Sequence, residues 1–325
     1  MGKLVDGIWR EDGYQAKATD GHFVRAQASF RNWITSDGIA GPSGEGGFEA
    51  EAGRYHLYVS YACPWAHRTL IFRTLKGLTE HIGVTVVAPL MMENGWELPK
   101  GEGPVSDARY IYDIYTAADP AYSGRATVPV LWDKTRQTIV SNESSEIIRM
   151  FNAAFDGVGA SPGDFYPTAL RVEIDTVNDL VYANVNNGVY KCGFARTLEA
   201  YEEAFDALFA ALDELESRLG ASRYLTGNQI TEADWRLFTT LVRFDAVYFG
   251  HFKCNLRRIA DYPNLSGYLR DLYQVPNVAA TVNMDEIKRH YYASHRSINP
   301  TGIVPLGPDL DFTAPHGRDD AGENG

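Results

Sequence analysis

Strand-like patterning is confined to one part of this 325-residue chain, and that confinement limits the folds open to it. From Arg54 the stretch "RYHLYVSYA" alternates as a strand, and "PWAHRTLIFRTLKGL" has helical spacing that stops at Gly77. "IGVTVVAPL" then reads as a buried strand, which completes a βαβ unit. The segment 90–126 is long for a connection, and "SDARYIYDIYTAADPAY" within it has room for a short helix or two. "TVPVLWD" and "QTIVS" form a hairpin around the polar "KTR", and "NESSEIIRMFNAAF" is a helix. After "SPGDFYP" the strands vanish. Residues 168–188 are expected to be helical, and Leu198, Tyr201, Phe205, Leu208, Leu212, Leu215 and Leu219 recur at helical spacing before Gly220. A further helix starts in "ITEADWRLFTTLVRF", with Thr231 as N-cap and Asp234 at N3. The expected organisation is an N-terminal extension at 1–53, an α/β domain at 54–160, an all-helical domain at 161–300 and a tail at 301–325.

Composition narrows the function classes. A hydrophobic content of 45% with 22% charged residues is that of a soluble globular protein. A net charge of -12 with no basic run argues against a nucleic-acid partner. No apolar h-region opens the chain, no window approaches a membrane span, and Asp6 stands where a myristoylation signal wants Ser or Thr, so no membrane partner and a cytoplasmic location are expected. Three cysteines do not make a disulfide framework, which fits a reducing compartment.

Cys63 sits at a strand-to-helix junction, directly before a proline. A thiol there faces the unpaired N–H groups and positive end of the helix, both of which favour thiolate, and proline at N1 has no N–H to leave orphaned. Arg68, His67 and the helix end are expected to lower its pKa from about 8.5 and make it a nucleophile; the competing reading is a buried small hydrophobe. Ala66 replaces the second cysteine of a CxxC pair, so the thiol must form mixed disulfides with another molecule.

Two other stretches invite a ligand. A cis peptide at Val128–Pro129 in "TVPV" would offer the Val128 backbone to an extended peptide, whereas the alternative is a proline on an edge strand. Glu143 and Ser144 in "SNESSE" would open a helix that binds a carboxylate, with Glu143 pairing an ammonium; the alternative is capping by Asn142 or Ser144. Other constellations fail. "GPSGEGG" is no nucleophile elbow, "GEGPVS" lacks the third Gly of a dinucleotide loop, His251 and Cys254 have no second pair for zinc, and no metal is expected.

Thiolate, backbone strand and carboxylate site match the three parts of glutathione. On these residues, and on "FRNWIT", "GRYHLYVSYACPWAHRTLI", "GW" at 95–96, "TVPVLWDK", "SNESSEIIRM", "NNGVYKCGFA", "RFDAVYFGHFKCN" and "HYYASHRSINPTGIVP", the chain resembles the glutathione transferase superfamily. Within it the chain looks most like the Xi class, the glutathionyl-hydroquinone reductases. The resemblance implies a thioredoxin-like N-terminal domain, an all-helical C-terminal domain and a homodimer, with glutathione as cosubstrate and glutathionyl-hydroquinones as substrates. It implies Cys63 as nucleophile and Trp96, Arg125, Ala126, Thr127, Val128, Glu143 and Ser144 as glutathione-binding residues. It also implies that Tyr190, Tyr248 and Tyr291 line the hydroquinone pocket, Tyr190 being the expected proton donor; by themselves these tyrosines read as core packing. The competing functions are an omega-like thioltransferase or dehydroascorbate reductase using the same Cys63, and a non-catalytic protein of the same fold that acts by interaction.

Overall fold

A computed structural model describes residues 2–11 and 20–319. The chain divides into two compact units: one holds Ala26–Gly163, Asp285–His290 and the first described residues, and the other holds Asp164–Met284, the residues from Tyr291 onward and the segment ending at Arg25.

The first unit is built on a four-stranded sheet. Strands β1 (Lys3–Val5) and β2 (Ile8–Arg10) form a separate hairpin, and β3 (Tyr55–Val59) and β4 (Gly83–Val86) are parallel in the main sheet. Between them runs α1 (Pro64–Leu75), so the βαβ expectation holds. Strands β5 (Met91–Met92) and β6 (Gly95–Trp96) make a second small hairpin, followed by α2 (Ile111–Ala118). The unit closes with β7 (Val130–Asp133), β8 (Thr138–Ser141) and α3 (Ser144–Ala153). The main sheet has the order β4-β3-β7-β8, with β7 antiparallel to both of its neighbours. Tyr55, Leu57, Val59, Val130, Leu131 and Ile139 are fully buried in it.

Two hairpins lie in stretches read as connections. In the N-terminal extension, expected as an arm or wrapping loop, Asp6 and Gly7 have positive φ of 49° and 74°, the turn on which β1 and β2 fold back. Inside the 90–126 connection Glu93–Asn94 turns the β5–β6 hairpin, and Gly95, the first residue of β6, has a positive φ of 74°. The arm also extends the main sheet: Asn142 N–H donates to Phe30 O and Asn32 N–H to Val140 O, which covers the β8 edge.

The second unit is helical. After a 3-10 turn come α4 (Arg171–Leu180), a π-helical turn at Val181–Asn186 and α5 (Gly188–Phe194). Next are α6 (Leu198–Ala221), α7 (Glu232–Arg243), a second π-helical turn at Phe244–Tyr248, α8 (Phe249–His251) and α9 (Pro263–Tyr273); of the last helix, α10 (Met284–Ser294), Asp285–His290 fall in the first unit. The expected capping box of α7 is present, the buried Asp234 carboxylate accepting the Thr231 N–H at 2.7 Å. Residues 312–318 of the expected tail are held in place: Gln274 donates to Phe312 O and Ala314 O, and the buried Arg318 donates to three carbonyls at 219–223. Residues 320–325 of that tail, and 12–19 of the N-terminal extension, lie outside the described residues. Among the described residues no helix is long and apolar enough to cross a membrane.

Candidate active site

The β3–α1 junction puts Cys63 at the N-cap of α1 with extended backbone (φ -77°, ψ 118°) and Pro64 at the first helical position. Its carbonyl accepts the His67 N–H at 2.9 Å while its side chain does not cap the helix. The half-buried thiol donates instead to the Val128 carbonyl at 3.4 Å. Of the two basic neighbours, His67 is buried and Arg68 lies over the Trp65 ring at 4.6 Å.

The Val128–Pro129 peptide is cis. The edge-strand alternative for this proline fails, because β7, which follows it, is an inner strand of the sheet. While Val128 O takes the Cys63 thiol, the Val128 N–H has no partner among the described residues. The backbone next to Cys63 thus keeps a donor free for a peptide-like ligand. Upstream, Arg125 and Ala126 are half-buried and Thr127 is exposed, and Tyr122 OH donates to Arg125 O at 3.4 Å.

Glu143, not Asn142 or Ser144, caps α3. Its Oε1 accepts the Ser145 N–H at 3.0 Å and the Ser145 hydroxyl at 2.8 Å, and its Oε2 has no partner among the described residues. Asn142 cannot cap because it is engaged elsewhere: Oδ1 accepts the Phe30 N–H at 3.1 Å and Nδ2 donates to Tyr115 OH at 2.9 Å. Ser144 opens the helix, and its N–H is unbonded among the described residues, a donor open to a carboxylate. Arg31 pairs with Glu146 in the first turn, so the arm also braces this helix end.

Tyr115, which no motif marks, and the expected Trp96 complete this half. The buried Tyr115 hydroxyl donates to Thr127 O at 3.1 Å and accepts from Thr127 N at 3.2 Å and Asn142 Nδ2 at 2.9 Å. One phenol therefore ties the 125–128 stretch to the turn that carries Glu143. Trp96, on β6, stacks on His290 with centroids 4.7 Å apart and planes at 20°, and His290 Nδ1 donates to Pro89 O at 3.0 Å. The Trp96 ring is held flat while its indole N–H bonds to nothing among the described residues.

In the second unit the three tyrosines form one cluster. Tyr291 OH lies 2.7 Å from Tyr190 OH and 2.9 Å from Tyr248 OH. Tyr248 and Tyr291 are buried and Tyr190 half-buried, so Tyr190 is the member open to solvent. Burial pushes the Tyr248 and Tyr291 hydroxyls well above the ordinary tyrosine range, which keeps both protonated as donors. Tyr190 stands on α5 just after one π-helical turn and Tyr248 ends the other. Such turns re-aim side chains and are frequent at functional sites. Cys192 and Cys254 are buried in this unit, and burial pushes the Cys254 thiol upward. Among the described residues no group of three or more His, Cys, Asp or Glu side chains is arranged to hold a metal.

Residues 62–154 match the family model "Glutathione S-transferase, N-terminal domain" and 199–271 match "Glutathione S-transferase, C-terminal domain". The chain is 60% identical to the glutathionyl-hydroquinone reductase YqjG of Escherichia coli K12, over 98% of this chain and 99% of that protein. It is 55% identical to the glutathionyl-hydroquinone reductase PcpF of Sphingobium chlorophenolicum, over 95% and 96%. The glutathione-bound structure of YqjG superposes with a TM-score of 0.90 over 98% of this chain and 99% of that one, at 57% identity. The Xi-class enzyme of Natrialba magadii gives 0.91 at 50% identity, covering 98% of both. With a cysteine at the start of the first helix of a thioredoxin-like unit, a tyrosine cluster in a helical one and identity of this extent along nearly the whole length, the chain belongs to the glutathionyl-hydroquinone reductases, the Xi class of the glutathione transferase superfamily.

Proposed function

We propose that this protein reduces glutathionyl-hydroquinones to hydroquinones, with glutathione as cosubstrate, through a Cys63–glutathione mixed disulfide. The observation that carries the reading is the Cys63 thiol at the amino end of α1, 3.4 Å from the Val128 carbonyl. In the same unit stand the unbonded Val128 and Ser144 N–H groups and the open oxygen of Glu143. In this reading the Val128 backbone takes the cysteinyl part of glutathione, Ser144 and the α3 terminus its γ-glutamyl carboxylate, and Glu143 its ammonium. Trp96 and the 125–127 stretch line the remainder.

The chemistry follows from these roles. Cys63 thiolate attacks the sulfur of the aryl thioether, forming an S–S bond as the carbon–sulfur pair passes to the ring. The ring carbon takes the Tyr190 proton, with Tyr248 and Tyr291 supporting the phenolate, and hydroquinone leaves. A second glutathione thiolate attacks the mixed disulfide, releasing oxidised glutathione and free Cys63. The thiol proton shed by that glutathione replaces the one given to the ring, so the sum is thioether plus glutathione to hydroquinone plus disulfide. The reading also includes a cytoplasmic location, supported by three free thiols, and a homodimer, supported by the family resemblance.

The test is mass spectrometry of the protein after exposure to a glutathionyl-hydroquinone. One glutathione should appear on Cys63, and Cys63→Ser should fold yet lose turnover, because a hydroxyl without a base is no nucleophile at neutral pH. Turnover by the folded serine variant, or glutathione on another residue, would refute the mechanism.

A further inference from the structure

Arg25, in the arm segment that belongs to the second unit, packs on the face of Tyr190. Its guanidinium carbon is 4.7 Å from the Tyr190 ring centroid and 5.3 Å from that of Phe23. Its Nε donates to Asn187 Oδ1 at 2.7 Å, and the buried Asn187 is the residue from which α5 starts, three positions before Tyr190. The cation is thus fixed to the helix that carries the ring.

We infer that Arg25 is a positioning residue that makes Tyr190 the stronger acid of the tyrosine cluster. The inference rests on the proposed role of Tyr190 as proton donor. A guanidinium stays charged at any working pH and is attracted to an aromatic face. The attraction grows when the ring becomes a phenolate, whose charge spreads into the ring. Stabilising phenolate over phenol makes proton donation to the substrate carbon easier.

The other groups of the cluster are placed differently. Tyr291 offers its hydroxyl at 2.7 Å and, with Tyr248 behind it, supplies hydrogen bonds but no charge. Arg243 is fully buried and its charge acts on Tyr248 and Tyr291. His251 and His295 lie 6.5 and 5.4 Å from the Tyr291 ring, and burial holds His251 neutral down to about 4. Lys191, the next residue in the chain, donates to Ala183 O at 3.0 Å.

The experiment compares wild type, Arg25→Gln, Arg25→Lys, Tyr190→Phe and the Arg25→Gln/Tyr190→Phe double variant. The readout is kcat/KM for a glutathionyl-hydroquinone as a function of pH. Arg25→Gln keeps an N–H toward Asn187 and loses the charge. It should slow reduction by about threefold to thirtyfold. The alkaline limb set by the donor should move up by about half a unit to one and a half units, since that fold-change is the same free energy. Arg25→Lys, which keeps charge without the planar stack, should fall between. In the Tyr190→Phe background the Arg25 substitution should cost nothing further. An undiminished rate, an unmoved alkaline limb, or an equal loss with and without the Tyr190 hydroxyl would overturn the inference. Wild-type activity in Tyr190→Phe alone is a separate outcome: it would overturn the donor assignment itself and, with it, the role given to Arg25.

Discussion

In the proposed reading Glu143 carries two functions on two oxygens, and substitution separates them. Oε1 caps α3 by accepting from both the N–H and the hydroxyl of Ser145, at 3.0 and 2.8 Å, while Oε2 is open to a ligand. Losing an N-cap acceptor costs about 1 kcal/mol, within about 0.5–2. Losing a charged hydrogen-bond partner for the γ-glutamyl ammonium costs about 1.5–3 kcal/mol, or about tenfold to 150-fold in affinity. Glu143→Ala removes both functions. Glu143→Gln keeps the carbonyl that caps the helix and removes only the charge. Both variants should therefore weaken glutathione binding by a similar factor, but only the alanine variant should lose stability. Titration calorimetry with glutathione, in a Cys63→Ser background that cannot react, gives the first quantity, and urea unfolding midpoints at unchanged slope give the second. A glutamine variant that binds glutathione like wild type would show that the ammonium does not sit on Glu143. A glutamine variant as destabilised as the alanine one would show that the cap depends on charge.

Two further outcomes follow from the tyrosines. Tyr190→Phe should cut reduction of a glutathionyl-hydroquinone by about tenfold to a thousandfold and leave reduction of a small glutathione mixed disulfide nearly intact, since a departing thiolate needs no acid; an equal fall in both activities would mean that the proton comes from elsewhere. Tyr115→Phe, measured by unfolding and by glutathione titration, should cost about 1–3 kcal/mol and weaken glutathione binding, because the Thr127 N–H and Asn142 amide lose their buried acceptor. Burial pushes the Tyr115 pKa up to about 12, against about 10 unfolded. The folded state holds that proton more tightly, so the stability it gives is complete below about pH 10 and is lost as pH rises through 12, a fall of about 3 kcal/mol that the phenylalanine variant should not show.

What the sequence discloses is what local chemistry fixes. Cys63 before Pro64 is legible because a proline at N1 needs no N–H partner and marks the helix start whatever packs around it. The division into an α/β part and a helical part is legible because apolar period changes from two to 3.6. Asp6–Gly7, and Asn94–Gly95 where the β5–β6 loop meets β6, carried a hairpin signal that the short strands around them obscured. The cap of α3 was not legible, because the preference for Asn at such a position yields to tertiary bonding: Asn142 spends its side chain on Phe30 and Tyr115. Nor does any local pattern mark Arg25, which meets Asn187 across 162 positions of chain.

The absence of a second cysteine beside Cys63 has a consequence for the order of events. Position 66 is alanine, and Cys192 and Cys254 are buried at 3% and 0% exposure in the helical unit. The Cys254 thiol is also held protonated by that burial, which removes the species able to attack a disulfide. No resident thiol is therefore suited to resolve a Cys63 mixed disulfide, and resolution falls to a thiol from solution. Because the first glutathione occupies the Val128 and Glu143 site in the proposed reading, the hydroquinone must leave before the second glutathione completes the cycle. In that reading the enzyme alternates between free and glutathionylated Cys63, and its kinetics are expected to be ping-pong, each half-reaction starting only after the previous product has gone.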